Sequence, residues 1–389
     1  MERGIAEIRG VECGVAFGGI KRTEKKIDRP DLLVIATDSP CPFAAVYTSN
    51  DVKAAPIKLS METVGKISGI VANSGNANAC TGERGLRDAK EMAELTSSLT
   101  GRGRFLVAST GVIGEPLPMD RVRKAIAEAV KNLGRAKGRE PAMAIMTTDT
   151  FPKLAFKEEE GFSVGGIAKG AGMIDPAMAT MLSFIATDAK IEEELLREAL
   201  REVNEETFNA ITVDGDMSTN DCVFLISTGK GREIGREELP LFKDALREVM
   251  GSLAYQIVKD GEGATKVARI RVLGARSTEQ ARSVARKIAL SPLVKTALFG
   301  CDPNWGRIVA AAGAARAGVV EEKMELKIGR FLLFKGGRVD YREEEVARYM
   351  RENEEIEIEL NLNLGSCAFT YLTCDLTYDY VKINAEYRT

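Results

Sequence analysis

Thr180 stands where a glycine-rich stretch gives way to an apolar one. The run Lys169-Gly170-Ala171-Gly172-Met173-Ile174-Asp175-Pro176-Ala177-Met178-Ala179-Thr180-Met181-Leu182 passes into an apolar segment ending at Thr187-Asp188. Small residues flank one hydroxyl at the point where loop becomes buried strand. The chain contains no histidine, so a Ser–His or Cys–His nucleophile is excluded, because no imidazole is available as base. The remaining economical arrangement is a Thr that uses its own α-amine, whose unperturbed pKa is about 7.7–8.0. An internal Thr gains that amine only when the Ala179–Thr180 bond is cut, which would give residues 1–179 and 180–389. Periodicity alone does not demand this, since a Met- and Ala-rich apolar run is also what core looks like.

The run KGAGMIDPAMATML (169–182) resembles the signature of the ornithine acetyltransferase (ArgJ) family, the glutamate N-acetyltransferases of arginine biosynthesis. Further matching segments follow in order: ANSGNANACTG (72–82), ASTGVIGEPLP (108–118), IMTTDTFPK (145–153), VDGDMSTND (213–221), KDGEGATK (259–266), CDPNWGRI (301–308) and INAEYRT (383–389). The resemblance covers essentially the whole chain. It implies self-cleavage before Thr180, whose new amine is the base and whose Oγ attacks the acetyl carbonyl of N-acetylornithine. It places the oxyanion hole at Thr110 and Gly111. It carries substrate binding to Thr147, Lys169, Thr180, Glu262, Asn384 and Thr389, with Lys169 read as the partner of a carboxylate and Glu262 as that of an amine. Glutamate then takes the acetyl group from Thr180 in the same pocket. The fold implied is that of the ornithine acetyltransferases and the related self-processing (DmpA-like) aminopeptidases. The fragments 1–179 and 180–389 are expected to co-fold as one intertwined unit and to pair as a heterotetramer of two alpha and two beta chains. No cofactor is implied; acetyl-CoA is a further co-substrate in some members.

Two rivals keep other readings of the same residues. A related aminopeptidase would use the same N-terminal nucleophile on peptides. A nucleotide-binding protein would use Gly170-Ala171-Gly172 or Gly261-Glu262-Gly263, although neither has the GxxxxGK[ST] or GxGxxG spacing.

Composition narrows the setting. A chain of 389 residues has ample material for a core and suggests two to three domains. Its 44% hydrophobic and 29% charged residues are those of a soluble globular protein. A net charge of −3 gives no electrostatic reason to expect nucleic acid or an anionic membrane. Small zwitterionic metabolites suit it better. No apolar stretch approaches the ~20 residues of a membrane span, and Met1-Glu2-Arg3-Gly4 does not open a signal peptide, so a cytoplasmic location is expected. The seven cysteines form no CxxC pair, which suggests reduced thiols. Without His or a Cys cluster, no metal site is expected. The segment 214–221 is Asp-rich, but its sixth position is Thr219 and its twelfth Leu225, so it fails as a calcium loop.

The elements that must position these residues read as a layered α/β (α+β) sandwich of mixed sheets with helices outside. Strands are expected at 15–17, 32–36, 44–47, 67–72, 104–108 and 142–146. Turns are expected at 73–78, 109–114 and 147–150, and a hairpin over 153–168 leads to Lys169. Helices are expected at 84–99, 122–133, 190–203, 239–258 and 307–317. Ser277 and Gln280 predict a capping box for a further helix burying Ala281, Val284, Ala285 and Ile288. Residues 267–272, 324–328 and 330–334 read as strands. Residues 355–364 alternate strictly, predicting a strand with one wet face and 368–377 as its partner.

Overall fold

The computed structural model of the chain describes residues 2–21, 29–175 and 181–386. Ala179, Thr180 and Thr389 lie outside the described residues. The chain divides into two compact units. Of the described residues, the first takes those up to 209 together with 216–257; the second takes 210–215 and 258–386.

In chain order the first unit begins with β1 (Val11–Ala16), β2 (Leu32–Cys41), β3 (Phe43–Tyr47), α1 (Ala55–Met61), β4 (Ile67–Asn76), α2 (Gly82–Thr100) and β5 (Phe105–Val112). It continues with α3 (Met119–Lys131), α4 (Glu140–Ile145), β6 (Lys153–Glu159), β7 (Phe162–Lys169), β8 (Leu182–Thr187), β9 (Lys190–Ile191) and α5 (Glu193–Glu206). After β10 (Ile211–Thr212), which belongs to the second unit, come β11 (Cys222–Ser227), β12 (Glu233–Ile234) and α6 (Leu239–Lys259).

Two sheets form the body of this unit, in the orders β1-β2-β4-β5 and β3-β11-β8-β7-β6. Alternation along the strands decides the layers. Leu33 and Ile35 of β2, Ile70 and Ala72 of β4 and Leu106 of β5 share one core with Ile167, Phe184 and Phe224 of the other sheet. Their neighbours Leu32, Val34, Val71 and Val107 point the other way, onto Met92 of α2 and Val122 and Ile126 of α3. Phe242 of α6 packs on Phe162 of β7. The result is sheet on sheet with helices outside, as the sequence pattern predicts.

The second unit holds β13 (Val267–Ala275), α7 (Thr278–Ala289), α8 (Pro292–Phe299), α9 (Trp305–Ala314), β14 (Glu325–Ile328), β15 (Phe331–Lys335), α10 (Glu343–Glu352), β16 (Glu355–Asn361), β17 (Cys367–Cys374) and α11 (Tyr378–Glu386). Its sheet has the order β10-β17-β13-β16-β14-β15. One face is apolar and carries α7, α9 and α10 through Val284, Ile288, Ile308, Val346 and Met350. On the other face Arg269 and Arg271 lie opposite Glu357 and Glu359 in register and pair with them. The strict alternation of β16 is thereby explained.

Four expectations need correction. Residues 142–145 belong to α4 rather than a strand; a short apolar run does not reveal its period, and Pro141 and Glu140 in the first turn favour a helix start. Residues 73–76 and 109–112 extend β4 and β5 rather than forming turns. β16 does not pair with β17, because β13 runs between them. The capping box is half formed: Ser277 accepts from the Gln280 N–H, but the Gln280 side chain accepts from Arg276 rather than from Ser277. All seven cysteines are free. Among the described residues no helix is long and apolar enough to cross a membrane.

Candidate active site

β4 and β5 run parallel, and their register becomes irregular at their far ends, where Asn76 faces both Thr110 and Val112. Gly111 has φ +132, and a Cβ there would run into the backbone of Gly75. Only glycine lets the two strands approach this closely in that conformation. Buried amides hold the distortion. Asn73 Nδ2 donates to Asn76 O at 2.9 Å and Ser109 Oγ donates to Asn73 Oδ1 at 2.7 Å. Asn220 Nδ2 donates to Ala77 O at 2.7 Å and Ser109 O at 2.8 Å. The segment read as a loop of turn formers is a hydrogen-bonded scaffold that fixes Thr110 and Gly111.

Thr110 is buried, and its hydroxyl receives Lys169 Nζ at 3.2 Å. Lys169 is the last residue of β7, in register with Leu182 of β8. The two residues that follow Thr180, Met181 and Leu182, are both buried.

Asp149 ties the neighbouring loops together. One carboxylate oxygen accepts the Gly170 N–H at 2.7 Å and Lys153 Nζ at 2.7 Å; the other accepts the Thr147 N–H at 2.8 Å. The Asp149 and Lys153 side chains are wholly inaccessible. Burial pushes the Asp149 pKa up, but the charges of Lys153 and Lys169 and the bonds from Lys153 and Gly170 outweigh it and hold the carboxyl well below its ordinary range. Thr147 O also accepts from Arg29 at 3.2 Å. The structure thus brings Thr110, Gly111, Thr147 and Lys169 to one place in the first unit. Asp149 and Lys153 were missed by sequence reasoning. Thr147-Thr148-Asp149-Thr150 reads as a solvated turn, and only the i,i+4 spacing of Asp149 and Lys153 hinted at a pair.

In the second unit Glu262 and Asn384 meet: Asn384 Nδ2 donates to Glu262 Oε2 at 2.8 Å. Glu262 is buried, and Asn384 sits on α11 rather than in a frayed tail. The loop before β13 is anchored by Asp375, which accepts from the Thr265 N–H at 2.8 Å and the Lys266 N–H at 3.0 Å. A Cβ on Gly263 would stand 2.6 Å from the Tyr380 nitrogen, so this glycine serves close chain approach. The Gly170 N–H is likewise engaged by Asp149. Neither stretch has the spacing that phosphate loops use.

The arrangement can stabilise negative charge. A hydroxyl and a glycine at a rigid strand end lie beside a buried ammonium, and donors so preorganised suit an oxyanion or a carboxylate.

The ArgJ family model matches residues 12–389. The arginine biosynthesis bifunctional protein ArgJ of Geobacter sulfurreducens is 48% identical over 393 residues, covering 97% of this chain and 99% of the relative. The protein of the same name from Archaeoglobus fulgidus is 48% identical over 356 residues, with 89% and 92% covered. The solved chain of Bacillus halodurans ArgJ superposes with a TM-score of 0.52 at 43% identity; it is covered in full by 54% of this chain. With a family match that spans nearly its whole length, and relatives close to half identical, this chain belongs to the ArgJ family.

Proposed function

We propose that this chain is a self-cleaving acetyltransferase of arginine biosynthesis, moving the acetyl group of N2-acetylornithine to glutamate through an ester on Thr180. The observation that carries the reading is the Lys169–Thr110 contact at the irregular end of β4 and β5. It joins two segments, ASTGVIGEPLP and KGAGMIDPAMATML, that the family resemblance assigns to one site.

Cleavage of the Ala179–Thr180 bond frees the Thr180 amine. That amine takes the proton of Oγ as Oγ attacks the acetyl carbonyl. The tetrahedral oxyanion is received by the Thr110 hydroxyl and the Gly111 N–H. Collapse breaks the bond to ornithine, whose nitrogen takes the proton back from the Thr180 amine, leaving the ester. Glutamate, with its amine unprotonated, attacks the ester and restores the Thr180 hydroxyl. Lys169 is suited to a substrate carboxylate, and Glu262 with Asn384 to a substrate amine. Thr147 and Thr389 complete the binding set. Relatives are called bifunctional, and acetyl-CoA is the natural second donor for such a site. Because β8 and β11 follow the cut and β3, β6 and β7 precede it, one sheet takes strands from both fragments. This supports fragments that stay intertwined; a cytoplasmic heterotetramer with two of each fragment is part of the same proposal.

The test is the intact mass of denatured protein. Wild type is expected as two fragments meeting at Ala179/Thr180, and Thr180→Ala as one chain without transferase activity. A single uncut wild-type chain that still transfers acetyl groups would end the reading. Double-reciprocal plots that run parallel for N-acetylornithine and glutamate are expected from the ester intermediate; intersecting lines would remove it.

A further inference from the structure

Lys21 follows β1 at the end of the Gly18-Gly19-Ile20-Lys21 turn. That turn wraps a carboxylate. Asp31 accepts the N–H groups of Gly18 at 2.6 Å, Ile20 at 2.6 Å and Lys21 at 3.4 Å. The Lys21 stem then lies over Gly75, where a Cβ would stand 2.5 Å from Lys21 Cγ. Gly75 is the register partner of Gly111. The side chain is therefore laid along the strand pair that carries the oxyanion-hole candidates.

Its ammonium is buried and, among the described residues, makes no hydrogen bond. Three donors without acceptors in a buried place are costly, and the cost shows in the titration. Burial and then the Arg29 charge push Lys21 down to about 7, with Lys169 adding to the repulsion and Asp31 and Asp149 opposing it. Among the described residues these four are the charged groups that act on it. Neither carboxylate relieves it: Asp31 holds the turn's backbone and Asp149 holds Lys153, Gly170 and Thr147. Among the described residues positive charge is in excess here, and an anion is what would balance it.

We propose that Lys21 is a second substrate-binding cation, which receives the carboxylate of the amino-acid substrates beside Lys169. The assignment rests on the acetyl-transfer reading for the identity of those substrates. A bound carboxylate supplies the acceptor that the ammonium lacks and favours its charged form. Binding above neutrality therefore takes up a proton.

The experiment is calorimetric titration of the mature protein with glutamate at pH 7 and pH 8, in buffers of different ionisation enthalpy. It compares wild type, Lys21→Met and Lys21→Arg. Methionine keeps the stem over Gly75, and the bonds to Asp31 come from backbone, so the turn is retained. Lys21→Met is expected to weaken glutamate roughly 10- to 100-fold, the effect of one charged hydrogen bond. Proton uptake at pH 8 is expected to approach one in wild type and to vanish in both variants, with Lys21→Arg keeping most of the affinity. Lys21→Met should also melt higher than wild type, more so at pH 6 than at pH 9. The depressed pKa costs stability fully below about 7 and not above the ordinary lysine range. Glutamate binding within twofold of wild type in Lys21→Met, with the same proton uptake, would overturn the assignment. A wild type that binds glutamate through Lys21 but transfers no acetyl group would end the acetyl-transfer reading and leave this one. Normal acetyl transfer with unchanged binding in Lys21→Met would do the reverse.

Discussion

Lys295 in the second unit and Lys21 in the first are both buried ammonium groups, in opposite circumstances. Lys295 donates to Thr373 Oγ1 at 2.9 Å and to the Cys374 carbonyl, and its own carbonyl accepts the Leu376 N–H at 3.2 Å. It ties α8 to the end of β17 and leaves nothing for a ligand to satisfy. Lys153 is of the same kind, closed against Asp149. Among the described residues Lys21 has the burial without the partners. Burial of a charge therefore does not by itself mark a site. What marks it is whether the protein completes the hydrogen bonds that burial demands.

Substitutions at four positions would break or sharpen that contrast. Asp149→Asn should have the largest effect, because it leaves the Lys153 charge buried and alone; removing one partner of such a pair costs about 3–5 kcal/mol. The loss should appear as a lowered Tm at pH 7. A carboxyl whose pKa is depressed by folding contributes stability above its unfolded pKa of about 3.9 and loses it as pH falls further. The gap between wild type and Asp149→Asn should therefore narrow below about pH 4. A gap that stayed constant down to pH 2 would mean that the pair is not what stabilises the loop.

Thr110→Ala comes next. Losing one oxyanion donor costs about 2.7–4 kcal/mol of barrier, or 10²–10³ in kcat. Thr110→Ser, which keeps the hydroxyl, should recover most of it, whereas equal losses in both would reduce Thr110 to a packing role. Glu262→Ala should raise the KM for N-acetylornithine roughly tenfold or more, as expected for a lost charged partner, with a smaller change for glutamate. An unchanged KM would take the amine-binding role from Glu262. Smallest is Lys295→Met, which leaves the Cys374 carbonyl without its donor at about 1–3 kcal/mol. Tm should fall while the KM values stay put, unlike the response expected of Lys21→Met.

Much of this architecture is legible along the chain. The apolar runs 32–36 and 182–187 are buried strands of the first unit, and the stripe Leu195, Leu196, Ala199, Leu200 and Val203 faces the core on α5. The motif segments come together in part: Lys169 closes β7 and reaches Thr110 near the end of β5, and Glu262 meets Asn384. What escapes is information about partners. Alternation tells β16 which face is wet but not that β13 lies between it and β17. The run Ala142–Met146 is too short to declare a period, so α4 passes for a strand. Asp149 looks like any turn aspartate until the fold presents Lys153 and Gly170 to it. Lys21 looks like a surface lysine until Gly75 comes to lie beneath its stem.

The sheet β3-β11-β8-β7-β6 carries one more consequence. β7 and β8 are hydrogen-bonded neighbours, yet the proposed scission falls between them in sequence, as it does between β3 and its neighbour β11. On the proposed scission, the uncut chain would assemble this sheet as a single molecule, with β7 and β8 joined by a short tether whose closure costs little entropy. Were the tether severed, the same sheet would join two molecules. Melting becomes a dissociation, its midpoint depends on protein concentration, and reassembly becomes a second-order search. Maturation would thus act as a ratchet: the catalyst keeps a shape that its separated pieces have no unimolecular path to regain.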